Sequence, residues 1–162
     1  MTFVSQAMTL FQRYRDPGEL SDRLQHASGV SAELMSEIIS STCRRFPSVR
    51  QPEKTARIER LIGSSAWTEA AVALIDLELP LWQIRRIAYD EGEWYCALSR
   101  ERELPDWLDQ SVEARHADLA LAILSAFIEA RRASEPASRP SVPTVGRDAK
   151  PLYEPLCCDN FS

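Results

Sequence analysis

The stretch IRRIAYDEGEWYCALSR, residues 84–100, constrains the fold more than any other part of the chain. Its alternating polarity, its β-branched and aromatic residues and the central Asp90-Glu91-Gly92 predict an antiparallel hairpin over residues 82–100. A three-residue loop, a type I turn followed by a left-handed glycine, sets Tyr89 opposite Glu93, Ala88 opposite Trp94 and Ile87 opposite Tyr95. Arg86 then faces Cys96, and Ile84 faces Leu98. One side of the ribbon carries Trp82, Ile84, Arg86, Ala88, Trp94, Cys96 and Leu98; the other carries Gln83, Arg85, Ile87, Tyr89, Glu93, Tyr95, Ala97 and Ser99. The indole-rich side is the one expected to be buried, which leaves Arg86 among apolar neighbours. A buried guanidinium needs a partner, and Asp76, Glu78 or a tryptophan face is within reach on this reading. A bulge at Arg85-Arg86 would instead turn Arg86 outward.

A two-stranded ribbon is marginal alone in water, so helices must cover its apolar side. Several are legible. Residues 3–14 space Phe3, Val4, Ala7, Met8, Phe11 and Tyr14 as an amphipathic segment, which the DPG at 16–18 stops. A brief helix follows in ELSDRLQHA. Ser31 can cap a stronger one whose stripe is Leu34, Met35, Ile38, Ile39, Thr42, Cys43 and Phe46. Pro52 suits the first position of a helix carrying Ile58, Leu61 and Ile62 inward, with Gly63 as its left-handed stop. The helix over 66–78 is expected to be capped by Ser64 or Ser65 and to bury Trp67, Ala71, Leu74, Ile75 and Leu79. A last helix is predicted to begin near Asp106 to Ser111 and run to about Arg132. Its LALAILSAF is apolar on nearly every side, as in a central core element, and Arg131 and Arg132 complement the negative end of its dipole.

These elements predict a mainly helical α+β fold: helices packed on a two-stranded antiparallel hairpin, with the 66–78 and 109–132 helices nearest to it. Residues 1–18 form an N-terminal amphipathic segment, 19–133 a single domain, and 134–162, with five prolines up to Pro155 and no periodicity, a disordered tail.

Charge and motif content narrow the function. Nineteen basic against 24 acidic side chains give a net charge of −5, which opposes binding to polyanions. The opening residues lack a basic leader, and no apolar run reaches the roughly 18 residues of a membrane span, so a cytoplasmic protein is expected. His26, His116 and the four cysteines never fall at zinc-site spacings, so no metal and no cofactor is expected. The five glycines form no phosphate-binding motif. Cys96 with His116 and Asp118 has the residue types of a nucleophile, base and orienter, but Cys96 falls on the apolar side, where a thiol is inert. Cys43 and Cys96 read as core residues and Cys157-Cys158 as a thiol pair; Asp159 stands where a prenylation signal would need cysteine.

What remains is binding. The leading expectation is a small non-catalytic protein-interaction or regulatory protein, meeting another protein through the tail or through the mixed aromatic and basic side of the ribbon, Arg85, Ile87, Tyr89 and Tyr95. A rival is a small-molecule or anion-binding protein, with minor enzymatic chemistry, using a pocket at Arg86, Trp94 and His116. A second rival is a degenerate winged helix, since three helices precede the hairpin. Its third helix, however, offers Glu69, Asp76 and Glu78 and no cation, and its wing tip is acidic.

Overall fold

The structure, a computed structural model, describes residues 17–100 and 110–135. The expected amphipathic segment up to residue 16 and the expected tail beyond 135 lie outside these residues. Among them are five helices and one three-stranded antiparallel sheet, a mixed α+β arrangement.

Helix α1 (Pro17–His26) starts on the proline of the DPG sequence. A first-turn proline forgoes no intrahelical bond, so Pro17 is well placed to open this helix. Its Leu20 and Leu24 join the core. In α2 (Ala32–Thr42) the Ser31 hydroxyl accepts the Leu34 N–H at 3.1 Å, as its sequence predicts, and Leu34, Met35 and Ile38 are buried. Pro52 opens α3 (Pro52–Gly63), which buries Ile58.

The end of α3 departs from expectation. Gly63 is the last helical residue, and the left-handed position falls two residues later on Ser65, at φ 58°. The Ala66 N–H bonds Leu61 O at 2.9 Å and the Ser65 N–H bonds Ile62 O at 3.0 Å, the paired closure of a Schellman motif. Because Ser64 and Ser65 shape this turn, neither caps the next helix. The N-cap of α4 (Trp67–Glu78) is Ala66, with no side-chain bond. As expected, α4 buries Ala71, Leu74 and Ile75, while Trp67 is half-buried.

The sheet corrects the two-stranded expectation. Its order is β1 (Gln83–Asp90), β2 (Glu93–Ser99), β3 (Ser111–His116). In β3, Val112, Ala114 and His116 point toward the helices, and Ser111, Glu113 and Arg115 point away. The expected last helix, beginning near Asp106 to Ser111, takes in this segment, which is instead a strand. That helix, α5 (Leu119–Ser134), begins only after Asp118, whose carboxylate accepts the Leu121 N–H at 2.9 Å.

The hairpin register also differs. The loop has two residues, Glu91 (φ 50°) and Gly92 (φ 91°), both left-handed, so Asp90 faces Glu93 and the turn is of the I′ kind. Tyr89 therefore faces Trp94, Ala88 faces Tyr95, Ile87 faces Cys96 and Arg86 faces Ala97. A bulge between Ile84 and Arg86 absorbs the extra residue, and Ile84 faces Leu98 as expected.

Helix α5 is the central element that its all-round apolar sequence predicts: Leu121, Ile123, Leu124 and Phe127 are fully buried. It packs on β2, β3, α4 and α1, so the helix that covers the sheet is α5, with α4 behind it. Truncating Phe127 to alanine here is expected to cost about 3–5 kcal/mol. Trp82 ties the start of the hairpin to the far end of α5, its indole Nε1 donating to Ser134 Oγ at 2.9 Å while that hydroxyl donates to Ala130 O. No helix among the described residues is long and apolar enough to cross a membrane.

Candidate interaction surface

Residues opposite one another in an antiparallel sheet point to the same side. Trp94, Cys96 and Leu98 belong to or pack on the core, so their partners His116, Ala114 and Val112 face the helices, and so do Ile87 and Tyr89. The other side displays Arg86, Ala88, Tyr95, Ala97, Glu113 and Arg115. This division separates the residues that the sequence reading had grouped. Of the expected partner patch, Ile87 and Tyr89 lie on the helix side, at its overhanging rim, whereas Tyr95 lies on the outer side. Arg85 stands in the bulge, exposed. Of the expected anion pocket, Trp94 and His116 are cross-strand partners on the helix side, and Arg86 is on the outer side, exposed.

Arg86 is thus turned out by the bulge, and the carboxylates proposed for it have other tasks. Asp76 pairs with Lys54 at 2.7 Å, linking α4 to α3. Glu78, buried at the end of α4, receives the backbone N–H groups of Arg44 at 3.0 Å and of Arg45 and Phe46 at 2.7 Å each. A carboxylate so used is a clamp on the segment after α2, which satisfies three backbone donors turned toward the buried end of α4.

On the outer side the Arg86 guanidinium stands over the Tyr95 ring, 5.9 Å from its centroid, and that of Arg115 stands 5.5 Å from it. Both lie within the range in which a cation is drawn to an aromatic face. The register builds this group: Arg115 is directly opposite Tyr95 across β2 and β3, and Arg86 is diagonal to it across β1 and β2. Burial pushes the Tyr95 phenol above its ordinary value, the hydrogen bond and charge of Glu113 push it the same way, and Arg86 and Arg115 pull it down. The site is therefore a half-buried ring with two exposed guanidiniums and a carboxylate at its hydroxyl. Arg115 and Glu113 fall within the helix expected from the sequence, so the sequence does not place them beside Tyr95. The period-two alternation of SVEARH was the signal that could have found them.

His116 is buried, and its Nδ1 accepts the Asp118 N–H at 2.9 Å, which puts the neutral ring's proton on Nε2. Cys96, two residues along β2 from Trp94, the cross-strand partner of His116, is fully buried, and burial pushes its thiol up from the ordinary 9.0 to about 11. A protonated, enclosed thiol is a poor nucleophile. A cleft of about 100 Å³ between α1, α2 and α5 is lined by Arg44, Arg131 and Arg132 together with Glu37 and Glu135. Its cations are largely matched, Arg44 by Glu135 at 2.8 Å and Arg132 by Glu129 at 2.7 Å. Among the described residues no three His, Cys, Asp or Glu side chains gather as metal ligands would. Comparison of the chain with protein-family models, curated proteins and solved structures yields no match.

Proposed function

We propose that the protein is a small cytoplasmic, non-catalytic interaction or regulatory protein, in which residues 19–133 act as one domain and the outer side of the sheet is the working surface. The observation that carries this reading is the placement of two exposed guanidiniums over the half-buried Tyr95 ring. Arginine and tyrosine are the residue types that most often anchor protein partners, because they combine flat apolar area with directed hydrogen bonding. Stacking on the ring holds each guanidinium in place, so less side-chain freedom is lost when a partner's carboxylate or carbonyl meets it. The partner is accordingly a protein segment that presents an acidic group beside an apolar one. The raised thiol of Cys96 and the matched charges of the cleft support binding over chemistry.

The test replaces Arg115 by Glu and, separately, Tyr95 by Ala. Proteins recovered from the native cell by the intact chain are expected to be lost with both variants and kept with Lys54→Glu on α3. Folded variants that retain every partner would remove the outer side from consideration.

A further inference from the structure

Strand β1 lies at the edge of the sheet, and its main neighbour among the described elements is β2. Its beginning is tied to the core through Trp82 and Ile84, and its far end leans on the core through the Tyr89 ring, 5.0 Å from that of Trp94. Beyond the bulge the strand overhangs: Arg86, Ile87, Tyr89 and Asp90 are exposed, with Ile87 at 40% and the large ring of Tyr89 at 61%. In a two-residue hairpin the residues flanking the loop exchange both backbone bonds, and the pattern alternates from there. Asp90, Ala88 and Arg86 therefore direct N–H and C=O toward β2, while Tyr89 and Ile87 direct theirs outward, where no described backbone group meets them. A regular edge with exposed apolar side chains and no pairing among the described residues is a template for another strand.

The charges on this edge indicate which strand. Read along the chain, Arg86-Ile87-Ala88-Tyr89-Asp90 is basic at one end, acidic at the other and small in the middle. Turned about a two-fold axis through Ala88, the segment complements itself. Ile87 falls opposite the partner's Tyr89 as a hydrogen-bonded pair, using the outward N–H and C=O groups of both copies. Ala88 falls opposite the partner's Ala88, at the close-approach position that favours a small side chain. Arg86 falls opposite the partner's Asp90. Sliding the axis to Arg86 or to Asp90 would bring like charges together, and centring it on Ile87 or Tyr89 would lose the pairing of Arg86 with Asp90, so the charges favour the axis through Ala88. Within one copy Asp90 sits opposite Glu93 and makes no ion pair with a described residue, so the hairpin tip holds a like-charge pair that a second copy's arginine would relieve. We infer that β1 pairs with β1 of a second copy of this chain, antiparallel and two-fold about Ala88, to form one continuous sheet across a homodimer.

The experiment is sedimentation and light scattering of the full chain from low micromolar to millimolar concentration. The native chain is expected to dimerise over this range. Ile87→Pro removes an outward N–H without touching the β1–β2 ladder and is expected to leave a folded monomer. Arg86→Asp and Asp90→Arg are each expected to weaken the dimer by roughly tenfold or more, and the two together to restore it. Arg115→Glu, which tests the outer surface, is expected to leave the dimer intact, so the two proposals fail separately. A native chain that stays monomeric throughout overturns the inference. So does a dimer indifferent to Ile87→Pro and to both single charge changes, which would place the contact elsewhere.

Discussion

The Glu78 carboxylate accepts the Phe46 N–H at 2.7 Å across a sequence separation of 32 residues, and its two oxygens together hold three consecutive amides, those of Arg44, Arg45 and Phe46. The buried end of α4 thereby fixes the chain leaving α2. Hydrogen bonds to an ionised acceptor are among the stronger ones, and removing a buried acceptor leaves its donors unpaired.

Replacing Glu78 by Ala is therefore expected to destabilise the protein by about 3 kcal/mol or more in urea unfolding. Glu78→Gln is expected to be milder, about 1–2 kcal/mol, because its carbonyl can still serve Arg45 and Phe46 while its amide faces the Arg44 N–H. Hydrogen exchange gives the local readout: amides 44–46 speed up in the alanine variant, and chiefly that of Arg44 in the glutamine variant. Unchanged exchange at all three would mean the clamp is not formed.

The turn between α3 and α4 places strain and freedom on the wrong residues, which gives substitutions of opposite expected sign. Ser65 holds φ 58°, a region a side chain disfavours. Ser65→Gly is expected to stabilise by roughly 0.5–1 kcal/mol, and Ser65→Ala to give no such gain. Gly63 is helical, and a Cβ there meets nothing within 4 Å, so Gly63→Ala is expected to stabilise by roughly 0.5–1 kcal/mol. Gly92, at φ 91° in the hairpin loop, should do the opposite and lose stability on change to alanine. Denaturation midpoints of the four variants test the assignment. Gly63→Ala losing stability would contradict it.

The same positions show what was legible in the sequence. Ser31 with its apolar stripe, Pro52, and the all-round apolar middle of α5 are local signals, and each produced the element observed. The hairpin was legible as a hairpin, but Asp90-Glu91-Gly92 suits a two-residue or a three-residue loop. The choice between them moves every β1 side chain between the bulge and the loop to the other face. What settles it lies outside the loop: a bulge at Arg85, and the pairing of Trp94 with His116 on β3, which is distant in sequence. Strand β3 itself is six residues rich in Ala, Glu and Arg, which favour helix, so its alternation was outweighed by the strong helix after it. The candidate surface is illegible in the sequence for this reason and because a three-residue loop puts Tyr95 and Arg86 on opposite sides of the ribbon. Tyr95 and Arg86 were named, but their juxtaposition depends on the register and on Arg115.

The two described thiols should be inert in the native state. Burial chiefly, and the Glu78 charge, push Cys43 up from 9.0 to about 12, and burial pushes Cys96 up to about 11. Iodoacetamide at mildly alkaline pH is expected to spare both in the folded protein and to modify both in urea, as peptide mapping would show. The linkage has a definite sign. Between pH 9 and 11–12 the unfolded chain has lost these protons and the folded chain has kept them, so stability falls as pH rises through that window. Cys43→Ala is expected to flatten the decline above pH 9. A decline equally steep without Cys43 would show that this thiol is not shielded as its surroundings indicate.

Tyr95 reports on the outer surface directly, because its neighbours act on it with opposite signs. Burial, with the Glu113 hydrogen bond and charge, raises the phenol above 10.0, and the guanidiniums of Arg86 and Arg115 oppose that rise by favouring the phenolate. Arg115→Met is therefore expected to raise the titration midpoint further, and Arg86→Met to do so as well. Glu113→Gln is expected to lower it, since the charge that disfavours phenolate is gone. The measurement is an alkaline titration followed by NMR on carbon-labelled tyrosine, with the Tyr95 signal assigned by Tyr95→Phe. A purely steric role for the arginines would leave the midpoint in place, or shift it alike for the arginine and glutamate variants. Opposite shifts require both guanidiniums to be held at the ring, the arrangement on which partner binding by this surface depends.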